Sequence, residues 1–174
     1  MRTVTVDRVY LEMRSAPPSD PGVAAPSGLA IRLERELPCS VPLFRELYRA
    51  VGEAHHWHDR DAWPDDRLAR HLARADVEIW VLRVDEEPGG FFELVRHEGD
   101  ASTEIAYFGL APRFLGRGLG RLLLARAIEL AWRGGTRRVW LHTCSLDAPA
   151  ALPNYIARGF REYRRETYEA EIPD

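Results

Sequence analysis

Between Pro112 and Arg121 the chain reads Pro-Arg-Phe-Leu-Gly-Arg-Gly-Leu-Gly-Arg and runs directly into Leu122-Leu123-Leu124-Ala125-Arg126-Ala127-Ile128. Three glycines at alternate positions, Gly116, Gly118 and Gly120, therefore join an apolar strand, Ile105 to Leu110, to a strongly apolar helix. Such a junction commits the chain to packing a helix against the sheet it has just left. Glycine lets a backbone approach a ligand closely, and the first-turn N–H groups of a helix have no internal partners. With the positive end of the helix dipole, those donors form a site for phosphate. Arg113, Arg117 and Arg121 add charge that can pair with phosphate oxygens. The stretch reads as a pyrophosphate cradle.

Two familiar phosphate loops fit poorly. A P-loop needs Lys followed by Ser or Thr at the helix start, and this chain contains no lysine. The dinucleotide fingerprint separates its last two glycines by two residues, whereas only Leu119 lies between Gly118 and Gly120. The stretch instead resembles the GNAT acetyltransferase pattern. In that pattern an apolar residue, any residue and Pro precede Gln or Arg, two residues, Gly, one residue, then Gly or Ala. Leu110-Ala111-Pro112 and Gly118-Leu119-Gly120 fall in register, with Leu115 where the family has Gln or Arg. A later family motif, Asn-Pro-x-Ala-Leu-x-x-Tyr-x-x-x-Gly-Phe, is matched from Ala148 through Tyr155 to Gly159-Phe160, with Ala148 in place of Asn. The resemblance is specific over Glu104 to Phe160 and only architectural before it.

What the resemblance implies is an α/β fold: a mixed, mostly antiparallel twisted sheet of about seven strands flanked by about four helices. It implies acetyl-CoA as co-substrate, and an acetyl group moved by direct attack of a primary amine. Phe108 and Leu110 would offer backbone groups to the pantetheine amides. The segment Leu115, Gly116, Arg117, Gly118, Leu119, Gly120 and Arg121 would hold the pyrophosphate. Tyr155 would lie against the cofactor sulfur, able to protonate the departing thiolate.

The charge pattern agrees with a polyanionic small molecule. Net charge is −3 over 174 residues, yet Arg113 to Arg138 holds seven arginines and the single acid Glu129. A basic patch confined to one loop and helix suits a phosphorylated cofactor better than nucleic acid, which needs a broader stripe. No apolar run approaches the ~20 residues needed to span a bilayer, and Met1 to Tyr10 is charged and alternating, unlike a signal peptide. The expectation is one domain over 1–174, with a strand and proline-rich loop over 1–27. The protein is expected to be cytoplasmic, a monomer or homodimer, with no nucleic-acid or membrane partner. Cys39 and Cys144 form no scaffold.

Along the chain, Val4 to Met13 alternates with a slip near Asp7, and Ser15 to Ser27 reads as a loop with four prolines. Leu29 to Leu33 alternates as a strand. Leu37 to Glu53 and Asp65 to Ala75 have helical spacing, Pro42 suiting the first turn of one and Asp65 or Asp66 capping the other. Ile79 to Val84 and Gly90 to Val95 flank a hairpin signal at Asp85 to Gly89. Strand, cofactor helix (Gly118 to Trp132), strand, short helix and final strand follow from Thr103 to Glu171.

Glu104, six residues before Leu110, stands where many family members carry a general base, and Glu93 on the preceding strand competes for that role. An alkyl amine is only about one part in a thousand neutral at pH 7, equivalent to ~4 kcal/mol of lost nucleophile, so a base is needed. His55, His56, Trp57 and His58 lack metal-ligand spacing, and no metal is expected. In the family topology this segment shapes the acceptor site, where Trp57, Asp59, Asp61 and Trp63 can receive a cationic amine, joined by Glu93. The acceptor would be a small-molecule or peptide amine. His97 and His142 read as ordinary strand residues. Two rivals stay open: an acyl-CoA-binding module without turnover, and a nucleotide-binding protein.

Overall fold

Alternating apolar residues form the strands and three-to-four spacing forms the helices, in the order β1 (Arg2–Met13), β2 (Ile31–Glu36), α1 (Val41–Gly52), α2 (Asp65–Leu72), β3 (Val77–Val84), β4 (Glu87–His97), β5 (Ser102–Leu110), α3 (Leu119–Ala131), β6 (Arg138–Cys144), α4 (Ala151–Ala157) and β7 (Arg161–Ile172). These come from a computed structural model that describes residues 1–18 and 24–172. The proline-rich loop expected at Ser15 to Ser27 lies partly outside them.

The strands form one seven-stranded sheet in the order β2-β3-β4-β5-β6-β1-β7. Every pairing is antiparallel except β5 with β6. The first strand thus lies between the last two, far from its sequence neighbour β2. Its burial phase changes between Val6 and Val9, where the sequence shows a slip, but the irregularity in register with β7 falls at Tyr10–Leu11.

Helices cover the sheet on both faces. On one, α3 buries Leu119, Leu123, Leu124 and Ala127 against Leu11, Phe92, Leu94 and Ile105. Its exposed side carries Arg121, Arg126 and Glu129. On the other face, α1 and α2 set Phe44, Leu47 and Leu68 over Ile79, Val81 and Phe91. Full burial of such side chains contributes roughly 1.5–3 kcal/mol each.

Helix and turn ends follow local signals in some places and tertiary partners in others. Ser40 caps α1, its hydroxyl accepting from the Leu43 N–H at 3.3 Å, with Pro42 in the first turn. The second helix is capped by neither aspartate: Pro64 precedes it, and Asp65 and Asp66 sit in its first turn, paired with Arg45 and Arg70. The hairpin turn is only Asp85-Glu86, both at positive φ. The Asp85 carboxylate, accepting from the Ala30 N–H at 2.9 Å, holds it there.

Candidate active site

The parallel ladder between β5 and β6 is short, running only from Ser102 opposite Arg138 to Glu104 opposite Trp140. Beyond it, β6 stays with β1 out to Cys144 opposite Arg8, while β5 stays with β4 out to Leu110 opposite Gly90. The sheet therefore splits, and among the described residues the β6-side edge of Ile105 to Leu110 has no strand partner. Between the diverging strands lies a cavity of about 620 Å³. A more open depression of about 1190 Å³ surrounds Gly99, Asp100 and Gly135 at the far end of the sheet. Its arginines are already engaged, Arg96 with Glu78 and Arg138 with Glu12, and it lies away from the glycine loop.

At one mouth of the split the glycine loop turns into α3. Gly116 and Gly118 have φ of 73° and 76°, a left-handed backbone that side chains rarely adopt, and a Cβ on either would meet nothing within 4 Å. Both glycines are thus required by backbone conformation rather than packing, and their open face suits a ligand. The helical ladder begins with the Leu122 N–H bonding Gly118 O at 3.4 Å, so the amides ahead of it project from the helix end. Phosphate oxygens fit these donors. Arg117 lies over the Phe114 ring at 5.8 Å, and Arg113 is held by Glu87 at 2.6 Å. Leu115 and Gly120 line the cavity, Leu115 with 58% of its surface exposed. Gly116, Arg117, Gly118, Leu119 and Arg121 lie outside the lining, and Leu119 is buried in the core beneath.

Glu104, Phe108, Leu110 and Tyr155 all line the cavity. The Glu104 side chain is 18% exposed, and burial pushes its carboxyl above the usual carboxylate range, against the downward pull of His97 Nε2 at 3.4 Å. Tyr155 is nearly buried between Phe108 and Phe160, edge-on to both. Burial, with Asp147 nearby, raises its phenol well above the usual value, so it keeps its proton at neutral pH. Asp147 does not stand free in place of the missing Asn: its Oδ2 accepts from Thr143 Oγ1 and from the Cys144 N–H, fixing the turn after β6.

The segment between α1 and α2 forms the opposite wall. Trp57 packs edge-on to Tyr107 at 5.0 Å, and the Tyr107 hydroxyl donates to Asp59 at 3.3 Å. Asp61 points elsewhere, exposed and bonded to His58 Nδ1 at 2.8 Å. Glu93, expected as an acceptor contact or competing base, is withdrawn from both tasks by its burial. It is 0% exposed, accepting from Arg60 at 2.5 and 2.8 Å, with His71 Nε2 at 2.8 Å. Both its oxygens are occupied, and these bonds hold its carboxyl below the usual range although burial alone would raise it.

Arg8, Tyr107, His142 and Tyr168 are among the cavity residues that the sequence reading does not include as site residues. Loss of surrounding water and the Arg8 charge keep His142 below the usual imidazole range, so it is neutral near pH 7. His97, read as an ordinary strand residue, is the hydrogen-bond partner of Glu104. Only Tyr107 had a local signal, as the neighbour of Phe108 on the opposite face of the same strand. Cys144 also faces the cavity, and burial raises its thiol, so it is no ready nucleophile.

A split sheet with a glycine-lined helix end at its mouth is the arrangement to be compared with known proteins, and the comparison gives its family. The model of the acetyltransferase (GNAT) family matches residues 43–160, and the chain belongs to that family. Among curated proteins it is similar to a mycothiol acetyltransferase of Corynebacterium efficiens, 32% identical over 116 residues, covering 64% of this chain and 38% of that protein. Among solved structures it resembles a GCN5-related N-acetyltransferase from Sphaerobacter thermophilus, with a TM-score of 0.63 and 18% identity over 95% of this chain and 51% of that one. A soil-metagenome aminoglycoside acetyltransferase bound to sisomicin gives 0.59 and 16%, covering 74% and 85%. The chain thus spans about half or less of the first two relatives, and the structural likenesses speak to fold alone.

Proposed function

We propose that the protein is an N-acetyltransferase that moves an acetyl group from acetyl-CoA to a primary amine by direct attack. The observation that carries this reading is the split between β5 and β6. It opens a strand edge from the glycine loop to a cavity holding one carboxylate of raised pKa and one protonated phenol. Leu115 to Arg121 would hold the pyrophosphate, and the free edge at Phe108 and Leu110 the pantetheine arm. When bound, acetyl-CoA supplies an acetyl group activated as a thioester.

The acceptor arrives as an ammonium ion, drawn by Asp59 and Glu104. Glu104, directly or through water, takes a proton from the amine, whose nitrogen then bonds the acyl carbon as the carbon–sulfur bond breaks. A carboxylate lifted above its usual pKa is better matched to this transfer than an unperturbed one, and such a base contributes about 10²–10⁴ in rate. Tyr155 donates its phenolic proton to the departing sulfur and regains one from the acylated nitrogen, while Glu104 passes the first proton to water, so the products are the amide, the free thiol and one released proton. No covalent acyl-enzyme is required.

The test is an amine panel, spanning amino acids, peptides, polyamines and aminoglycosides, assayed for acetyl-CoA-dependent thiol release. Thermal shifts with CoA, acetyl-CoA, ATP and NAD run alongside. A ligand at 100 times its Kd adds about 2.7 kcal/mol. Turnover with a CoA-specific shift supports the reading. A CoA shift without turnover on any amine would favour a binding module, and a shift with ATP or NAD alone would refute CoA binding.

A further inference from the structure

The family match covers residues 43–160, yet the cavity is closed on its β6 side by residues from outside that span. Strand β1 enters between β6 and β7, bringing Arg8 opposite Cys144 on one neighbour and Glu166 on the other. Arg8 and Tyr168 reach the cavity together, beside His142. The Arg8 Nη2 donates to the Tyr168 hydroxyl at 2.8 Å, and the guanidinium lies 4.7 Å from the centre of that ring.

The guanidinium is held in place without being neutralised. Among the described residues its ion-pair contact is with Glu166, 3.5 Å from Nη1, a long contact. That same carboxylate pairs with Arg164 at 2.8 Å and accepts from the Tyr10 hydroxyl at 2.7 Å. Two guanidiniums therefore share one carboxylate. Among the described residues the buried Arg8 Nε has no hydrogen-bond partner, leaving a donor unmatched. Buried donors of this kind are rare, and each calls for an explanation.

We infer that Arg8 is a specificity-determining residue that receives a carboxylate of the acceptor, so that the preferred acceptors carry an amine and a carboxylate on one molecule. The inference rests on the acetyl-transfer reading and refines its acceptor class. Asp59 and Glu104 draw the ammonium end, while Arg8 supplies a cation on the other wall of the same cavity. A guanidinium matches a carboxylate in both charge and planar shape. One shared positive charge suits a monoanion better than a dianionic phosphate, and neutral His142 adds no second positive charge. Trp57 and Tyr107 offer aromatic walls to the acceptor's side chain, which selects phenylalanine derivatives as probes.

The experiment compares kcat/KM for phenylalanine, phenylalaninamide and phenethylamine, matched amines that differ in the carboxylate. Wild type should prefer phenylalanine by roughly tenfold or more, the size of one charge-assisted bond. In Arg8→Gln the ratio should collapse towards one, and Arg8→Lys, which keeps charge but loses the fork, should fall between. The acetyl-CoA thermal shift reports that each variant is folded. If Arg8→Gln does not fold, Tyr168→Phe removes the hydroxyl that orients Arg8 and should reduce the ratio. A second readout needs no turnover: 3-phenylpropionate should raise the Tm of wild type but not of Arg8→Gln, and its amide should raise neither. A wild-type ratio near one, a ratio that survives Arg8→Gln, or no shift with saturating 3-phenylpropionate would overturn the inference. A carboxylate shift that depends on Arg8, with no amine acetylated, would remove the transferase reading and leave the carboxylate site standing.

Discussion

Glu93→Gln removes one negative charge from the interior while nearly preserving shape, and the structure says what that should cost. Glu93 is 0% exposed, and its partners Arg60 and His71 have side chains only 8% and 12% exposed. The Arg60 guanidinium also lies over Tyr107 at 4.5 Å and over Trp63 at 5.1 Å, so aromatic rings replace much of its water. A carboxamide leaves that cation buried without a counter-charge. Breaking a buried pair in this way costs about 3–5 kcal/mol. For a protein of this size each kcal/mol moves Tm by about 2–4 °C, so the expected loss is roughly 6–20 °C. Urea unfolding at pH 7, followed by fluorescence, gives the free energy, and a thermal scan gives Tm. Replacing the pair together, Arg60→Met with Glu93→Met, should restore most of the loss, because the penalty comes from the stranded charge. The pH dependence has a definite sign. The Glu93 carboxyl is held below its unfolded value, so its contribution is present above about pH 4.3 and disappears as pH falls through the lower folded value. The variant should therefore unfold with a flatter acid slope than wild type. A loss below about 1 kcal/mol at pH 7, with an unchanged acid slope, would refute the account of this cluster as a buried charge pair.

Three further outcomes probe the site itself. Gly118→Asp should abolish CoA binding, measured by calorimetry, because a negative charge enters the cradle; the left-handed φ adds only about 1–2 kcal/mol of strain, and Asp tolerates that region better than most residues. Unaltered CoA affinity in the folded variant would show that the loop does not hold the pyrophosphate. Glu104→Gln should lower kcat/KM most near neutral pH and recover as pH rises, since more amine is then already neutral; a loss of equal size at every pH would indicate positioning rather than proton transfer. Tyr155→Phe keeps the ring between Phe108 and Phe160, so folding and CoA affinity should persist while kcat falls by about 10²-fold or less. Full kcat, measured where chemistry limits turnover, would reduce Tyr155 to a packing residue.

Local sequence determined the glycine junction, the amphipathic faces of α1 and α3, the strand alternation and the candidate pair Glu104 and Tyr155. Each depends on residues close together in the chain: glycine at positive φ, apolar spacing of three and four, or a short motif on one helix. Element ends were less legible, because caps and turns depend on partners elsewhere, as Asp85 does on Ala30 and Asp65 on Arg45. Only the tertiary structure decided that β1 threads between β6 and β7, since antiparallel pairing is set by edge complementarity across more than a hundred residues of chain. That decision brought Arg8 and Tyr168 to the cavity. It was also the fold that took Glu93 away from the site, because strand alternation cannot tell a carboxylate facing an open cavity from one facing Arg60 and His71. Sequence alone thus determined the glycine junction and the helix it opens, whose residues are neighbours in the chain. The opposite wall of the cavity was decided by folding, because it comes from strands and a loop that meet only when the sheet is complete.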